Sequence, residues 1–542
     1  MHDIVIRGGT IIDGTGKAAF TGDVAISNGR IVGVGGKQGP AKREIDADGL
    51  LVTPGWVDAH THYDGQAMWD PLLAPSCWHG VTTVLFGNCG VGFAPVKKHH
   101  RDALMDLMEG VEEIPNPVLA AGLSWDWETF PQFMDALERR PHAIDIAAQA
   151  AHLPLRVYVM GDRAVRREPA TPDDIAEMRR LTIEALQCGA FGFTTSRTDS
   201  HKTPDGELVP SRDADADELV GIGSALGAVG MGAFGMNSDF DDEDYELNWM
   251  TRLARQSGRP VWFLLTDRYE DPQRWRRLLN ATHAARAQGI SFTAQIAGRP
   301  IGVMMGVGTA LNPFTVRPSY KKIEALPIEE QRQRLRDPQV RRQILAEAPS
   351  DADVAKLAQF RQAVTRKWER FYVMGDPPDY EPAPEKSVAA IAAREGRPPD
   401  EVAYDYITGG GRSVFIFPGG ELCDGRSCPD LRNAQRSGLP PWLERWWRAL
   451  HLNRRCRRAD LHADALGPRP RPWPAATARK TSQASDQRDR RFLRLWRPRP
   501  VGAGAARRHQ RDRFRRSQSA QAGTRPRHAG RRPPFRAACR RL

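Results

Sequence analysis

Apolar positions in the first 50 residues come in short bursts separated by glycine and polar pairs, the spacing expected of strands. Ile4-Val5-Ile6 runs into Gly8-Gly9-Thr10, and Ile11-Ile12 stops at Asp13-Gly14. Asp23-Val24-Ala25-Ile26 and Arg30-Ile31-Val32-Gly33-Val34 flank Asn28-Gly29, a pair whose tolerance of positive φ predicts a two-residue hairpin turn. Residues 1–53 are therefore expected to form a small β unit. From residue 51 strands alternate with helices. Strands are predicted at Leu51–Asp58, Thr82–Phe86, Ala143–Ala148, Ala190–Thr194, Val261–Leu265 and Ser291–Ile296. A helix is predicted from Thr171, with Thr171 as N-cap, Pro172 at the first position and early acids Asp173 and Asp174, to Cys188 before Gly189. Residues 350–407 read as mainly helical. Such alternation implies α/β architecture with a parallel sheet, and its length favours a (β/α)8-type barrel over residues 54–420. Beyond about residue 420 the rhythm collapses, and 421–542 reads as a disordered tail.

Charge sharpens that boundary. The chain carries a formal +12, but residues 421–542 hold 31 Arg and 1 Lys against 9 acidic residues, or +23, so the first 420 residues stand at −11. An acidic body with a basic tail ordinarily suggests a nucleic-acid arm; the reading frame, discussed below, argues against one. The seven cysteines are sparse and irregular, which argues against a disulfide framework, and they show no zinc-finger spacing. No run of 18 apolar residues predicts a membrane span, and the N-terminus lacks a basic then apolar leader, so a cytoplasmic protein is expected.

Two segments carry chemistry. The first predicted parallel strand runs into Asp58-Ala59-His60-Thr61-His62-Tyr63-Asp64-Gly65-Gln66. In extended chain, residues two apart share a face, so His60 and His62 point together, at the strand end where barrel enzymes keep their sites. Two imidazoles so placed can bind a divalent ion; two polar loop histidines is the plainer alternative. The second strand ends in Gly87-Asn88-Cys89-Gly90, which brings Cys89 to the same mouth as a thiolate ligand or as a small buried thiol. Gly409-Gly410-Gly411 lacks the Lys that would make it a phosphate loop.

With these residues in place, the sequence resembles the amidohydrolase superfamily. The β unit and Pro54-Gly55-Trp56-Val57-Asp58-Ala59-His60-Thr61-His62 carry the likeness. Tyr63-Asp64-Gly65-Gln66, Gly87-Asn88-Cys89-Gly90, Gly189–Arg197 and Ala297-Gly298-Arg299-Pro300 resemble its D-aminoacylase (N-acyl-D-amino acid deacylase) branch. The resemblance covers about residues 1–420. It implies a (β/α) barrel with a small β-sandwich built from both chain ends. It also implies a zinc-type site with His60, His62 and Cys89 as ligands, and an Asp from a Ser-Asp-Gly-Gly-Ala-His motif as general base. Bound metal would polarise an amide carbonyl and lower the pKa of water to about 7. The substrate implied is a small N-acyl amino acid. Tyr63, His152 and Arg197 are the expected substrate-binding residues, with a satisfied structural histidine as the alternative for His152.

The sequence departs from the family pattern twice. The branch places further metal histidines on strands five and six, but Val261–Asp267 and Phe292–Ile296 contain none. One zinc ion is therefore expected, with two as the alternative, and chirality is left open. The Ser-Asp-Gly-Gly-Ala-His motif is also absent. Shifting the frame by one nucleotide at Trp446-Trp447-Arg448 forces Gly-Gly, given a CGN arginine codon, because tryptophan has a single codon. The neighbouring codons permit Gly-Ser-Ser-Asp-Gly-Gly-Ala-His-Phe. The same shift lets Arg507–Phe514 read Ala-Asp-Ile-Asn-Val-Ile-Asp-Phe, like the family's closing strand. A frameshift between about residue 415 and residue 440 thus accounts for the tail, leaves no call for a nucleic-acid partner, and predicts low stability and negligible activity for the chain as written. The leading expectation is hydrolysis of a linear N-acyl amino acid. A hydantoinase-like cyclic amidase and an inactive binding protein are the alternatives, and the oligomeric state is not fixed.

Overall fold

The structure, a computed structural model, describes residues 1–409 except 267–270, 272, 298–301, 310–311, 349–366, 374–378 and 380–381, together with the strand backbone at 415–418, 422–423 and 426–427. The expectations placed on residues 350–366, and on the basic tail from 428 onward, lie outside the described residues.

The N-terminal strands are β1 (His2–Ile11), β2 (Phe20–Ser27), β3 (Arg30–Val34), β4 (Ala41–Asp46) and β5 (Leu51–Val52). They form one sheet ordered β3-β2-β1-β4, with β5 also on β1. Asn28 and Gly29 turn the predicted hairpin with φ of 53° and 69°. Asp23 ties the sheet together by accepting from Arg7, Gly8 N and Gln38 N.

The single strand expected at Leu51–Asp58 is two. β5 stays in the N-terminal sheet and β6 (Trp56–Asp58) enters another, with Pro54-Gly55 between them. Proline has no N–H to donate to a ladder. Gly55 packs so tightly that a Cβ there would lie 2.0 Å from Thr82 Oγ1.

The remaining main strands are β7 (Val81–Phe86), β8 (Asp145–Ala148), β9 (Ala150–Ala151), β10 (Gly192–Arg197), β11 (Ala233–Ser238), β12 (Val261–Leu264) and β13 (Phe292–Gln295). Every pairing in β6-β7-β8 and in β9-β10-β11-β12-β13 is parallel. Gln149 alone separates β8 from β9, so the two ladders meet on one interrupted strand. Helices make the crossovers that parallel pairing requires. They are α1 (Arg101–Glu112), α2 (Asn116–Gly122), α3 (Phe130–Glu138), α4 (His152–Met160), α5 (Asp162–Val165), α6 (Pro172–Gln187), α7 (Ala216–Val229), α8 (Glu243–Ser257) and α9 (Arg274–Ala287). At the start of α6, Thr171 is the N-cap that its sequence predicts, and Asp174 caps it in return.

Among the described residues no eighth strand continues the parallel order. After β13 the chain enters β14 (Gly302–Met305). Further on, β15 (Tyr372–Val373) and β14 flank β16 (Phe415–Pro418), both antiparallel to it. Helices α10 (Pro318–Glu324), α11 (Ile328–Leu335), α12 (Pro338–Ala346), α13 (Val388–Glu395) and α14 (Pro399–Thr408) surround a second core that includes Phe314, Tyr320, Phe371 and Tyr404.

Alternation along the strands sorts side chains into two faces. On the outer face, Phe193 packs 5.3 Å from Phe234, and Phe234 packs 5.7 Å from Trp249 of α8. On the inner face, Trp262 fills the space left by Gly235, where a Cβ would lie 2.1 Å from the indole. This face carries Thr194, Ser196, Asn237, Trp262 and Gln295, and the chemistry gathers at its C-terminal rim.

Candidate metal centre

The His-x-His pair lies just past the end of β6. Thr61 points away from the pair, giving its N–H and hydroxyl to Leu85 O. His60 and His62 share the other face, with ring centroids 5.3 Å apart. His60 Nδ1 lies 2.8 Å from Gln295 Oε1, at the last residue of β13. An amide oxygen only accepts, so Nδ1 carries the proton and the Nε2 lone pair faces Cys89 Sγ at 3.3 Å.

Cys89 owes its position to a turn that few sequences can make. Gly87, Cys89 and Gly90 all have positive φ, at 79°, 53° and 69°. A Cβ on Gly87 would lie 2.5 Å from Gln149 O, and one on Gly90 3.0 Å from Thr195 Cα, so glycine is required at both on two counts. Asn88 locks the turn: its amide donates to Thr61 O and Leu85 O and accepts from Gln149 Nε2. A non-glycine residue held in the left-handed region marks backbone strain of the kind found at functional sites.

Two further donors arrive that the sequence reading did not single out. Glu112 ends α1, and its Oε1 lies 3.3 Å from His62 Nε2. His201 follows β10, with Nδ1 2.7 Å from Ser196 Oγ and Nε2 3.3 Å from the Asn237 amide nitrogen. Potential ligand atoms of His60, His62 and Cys89 lie within 4.8 Å of one another, and so do those of Cys89, Glu112 and His201.

Burial governs the electrostatics. It lowers the pKa of His60, holds His62 well below the usual imidazole range, and takes His201 to about 4. It pushes the Cys89 thiol well above its usual range, with Glu112 and Asp64 adding to the shift. It raises Glu112 and Asp64 to about 8 each. These donors are therefore neutral without a cation, the state desolvation favours. His62 Nδ1 and Asp64 Oδ2 are buried with no hydrogen-bond partner. Orphaned polar atoms beside a convergent N, N, S set fit a resident divalent cation of the zinc type.

The expected substrate-binding residues sit elsewhere. Arg197 shares the outer face of β10 with Phe193 and Thr195; it pairs with Glu246 at 2.7 Å and donates to Ala214 O. His152 is fully buried, its two ring nitrogens against Thr195 Oγ1 at 2.8 Å and Glu218 Oε1 at 3.0 Å. Tyr63 donates its hydroxyl to Ser76 Oγ, which in turn donates to Asp58. The structure gathers none of the three into the donor cluster; the even–odd position of Arg197 on its strand was the available signal.

Residues 43–426 match the family model described as "Amidohydrolase family". The chain is 39% identical over 194 residues to an N-acyl-D-aspartate deacylase of Alcaligenes xylosoxydans xylosoxydans, covering 36% of each chain. It is 34% identical over 194 residues to a D-aminoacylase of the same organism, covering 36% of this chain and 37% of the relative. It thus spans little more than a third of the length of these curated relatives. A solved D-aminoacylase structure superposes over 80% of this chain and 73% of its own, with a TM-score of 0.48 at 23% identity. The family match alone spans well over half of the sequence, and on that ground the chain belongs to the amidohydrolase family.

Proposed function

We propose that this protein is built to hydrolyse the amide bond of a small N-acyl amino acid, using a divalent ion held by His60, His62 and Cys89. The convergence of these three side chains at the C-terminal rim of the parallel strands carries the reading. Similarity to an N-acyl-D-aspartate deacylase and a D-aminoacylase supports the substrate class. Two imidazoles and a thiolate suit zinc, and one ion matches this set. When bound, the ion supplies Lewis-acid polarisation of the scissile carbonyl. Gln295 fixes the His60 tautomer that presents Nε2, and the Asn88 network fixes Cys89. Trp262 packs edge-on against His60, with ring centroids 6.1 Å apart. The general base is expected from the Asp motif recovered by the shifted frame, so the chain as written is expected to bind metal with negligible turnover. No helix among the described residues is long and apolar enough to cross a membrane; a cytoplasmic enzyme acting on a small molecule is our reading.

The test compares the chain as written with a frame-corrected chain. Bound zinc is measured by elemental analysis, and amine release is followed from N-acetyl-D- and N-acetyl-L-amino acids, with dihydrouracil as the cyclic control. Zinc in both chains and one-enantiomer turnover in the corrected chain is the expected result. Dihydrouracil turnover would redirect the reading to a cyclic amidase. Zinc without turnover in either chain would favour a binding protein, and absence of zinc would refute the His60/His62/Cys89 assignment.

A further inference from the structure

Trp125 and Trp127, two positions apart in the segment before α3, end in different surroundings. Trp127 is buried and donates its indole N–H to Phe93 O. Trp125 is half-buried, with its backbone at φ 51°, in the left-handed region that a bulky residue rarely adopts. Arg101, the first residue of α1, pins it there. The Arg101 guanidinium lies 5.3 Å over the Trp125 ring, and its Nη2 donates to Trp125 O. Backbone strain that its surroundings hold in place clusters at ligand-binding sites. Trp125 lines a surface cleft of about 370 Å³, within the range of about 300–1,000 Å³ usual for small-molecule sites.

The charges lining the cleft do not cancel in pairs. Gln132, Asp135 and Arg139, three and four positions apart, line it from one side of α3 and its C-cap. Arg139 and Arg140 both pair with Asp126, and Glu128 accepts from the Tyr158 hydroxyl at 3.2 Å. Two charges are left over. A guanidinium has five N–H donors, yet Arg101 makes one hydrogen bond, its Nε is enclosed without an acceptor, and no carboxylate pairs with it among the described residues. The Asp135 carboxylate likewise pairs with no cation among the described residues. A cation and an anion that line one cleft without meeting each other are complementary to a molecule that carries both charges.

We infer that this cleft is a second small-molecule site, apart from the metal centre, that binds a free α-amino acid as its zwitterion. The ligand carboxylate accepts from the Arg101 guanidinium, its ammonium donates to Asp135, and its side chain lies against the Trp125 indole. Charge-assisted hydrogen bonds at both ends select against a ligand that lacks either charge. Glu112, at the other end of α1, stands eleven residues from Arg101, about 16 Å along the helix axis, so one helix joins the cleft to the donor cluster. The lining calls for a zwitterion whether or not the metal centre is catalytic. A free amino acid is also what the proposed hydrolysis would release.

The experiment is isothermal titration calorimetry on the full 542-residue chain, stripped of metal so that no cation at the His60/His62/Cys89 donors contributes to binding. L- and D-phenylalanine are the probes. 3-Phenylpropionate lacks the ammonium, phenethylamine lacks the carboxylate, and neither is an N-acyl amino acid. At least one phenylalanine enantiomer is expected to bind, and both analogues to bind about tenfold or more weakly than it does. Arg101→Gln and Asp135→Asn should each weaken phenylalanine by a similar factor. Trp125→Gly, which suits the left-handed backbone and removes the indole, should weaken it as well. Circular dichroism of each variant confirms that the fold persists, and the two analogues test both charges with no substitution at all. No binding of either enantiomer up to its solubility limit would overturn the site. So would either analogue binding as tightly as phenylalanine, or a phenylalanine affinity unchanged in both Arg101→Gln and Asp135→Asn.

Discussion

Replacing Gln295 with leucine removes one acceptor and should weaken metal binding at the proposed site, through a histidine 235 positions away in the chain. The bond lost is the one from His60 Nδ1 to Gln295 Oε1, 2.8 Å long and partly buried. Two costs follow. The Nδ1–H is left without a partner, a penalty of about 1–3 kcal/mol wherever the group is fully desolvated. The ring is also freed to place its proton on Nε2, the nitrogen that faces Cys89. Partners of metal-bound imidazoles contribute about 10–100-fold in affinity, or about 1.4–2.8 kcal/mol. The lower end applies here, because the ring is also flanked by His62 at 5.3 Å and Trp262 at 6.1 Å and does not swing freely. Zinc affinity measured by competition with a chromophoric chelator should fall about tenfold in Gln295→Leu. Gln295→Glu keeps an acceptor and should match or exceed the wild type. A leucine variant that binds zinc within about twofold of wild type, with unchanged thermal melting, would refute the argument that Gln295 sets the tautomer.

Two further outcomes test the scaffold. Burial alone would raise the Glu218 carboxyl, but His152 and Arg156 outweigh it and hold the group at about 2. Its contribution to stability is thus complete above the usual value of 4.5 and lost as pH falls toward 2. Glu218→Gln strands the buried Arg156 guanidinium and should cost about 3–5 kcal/mol at neutral pH. In urea melts the variant should also lose part of the wild-type pH slope between those two values; equal urea midpoints near neutrality would contradict this. Gly235→Ala forces a methyl group against Trp262 and should cost about 1–3 kcal/mol, accompanied by a change in near-ultraviolet circular dichroism; an unperturbed spectrum and melt would show that the indole has room to move.

Local chemistry was readable wherever a short rule applied. Asn28-Gly29, the Thr171 N-cap and the His60–His62 alternation each depend on neighbours within a few residues, and each sits in the structure as its spacing predicts. The Gly87-Asn88-Cys89-Gly90 turn was legible for the same reason: its glycines announce positive φ. β11 was not, because Gly235 and Asn237 interrupt its apolar run on the face where Trp262 and the donor cluster need space and polarity. Glu112 and His201 were beyond reach of pattern. Neither lies on a strand and 89 positions separate them, yet their ligand atoms and that of Cys89 lie within 4.8 Å of one another. The division of Leu51–Asp58 into two strands was hidden because apolar content continues through a point where the backbone changes sheets.

The even and odd positions of β10 serve different masters. Thr194 and Ser196 touch the turn and the imidazole of the site, while Phe193, Thr195 and Arg197 clamp the helices behind. A mutational library confined to the first pair and to Asn237 would therefore explore new reactivity while leaving the clamp intact. One that included the second set would spend most of its diversity on unfolded variants. Evolvability in this fold is thus partitioned residue by residue along a single strand, with the boundary drawn by the pleat.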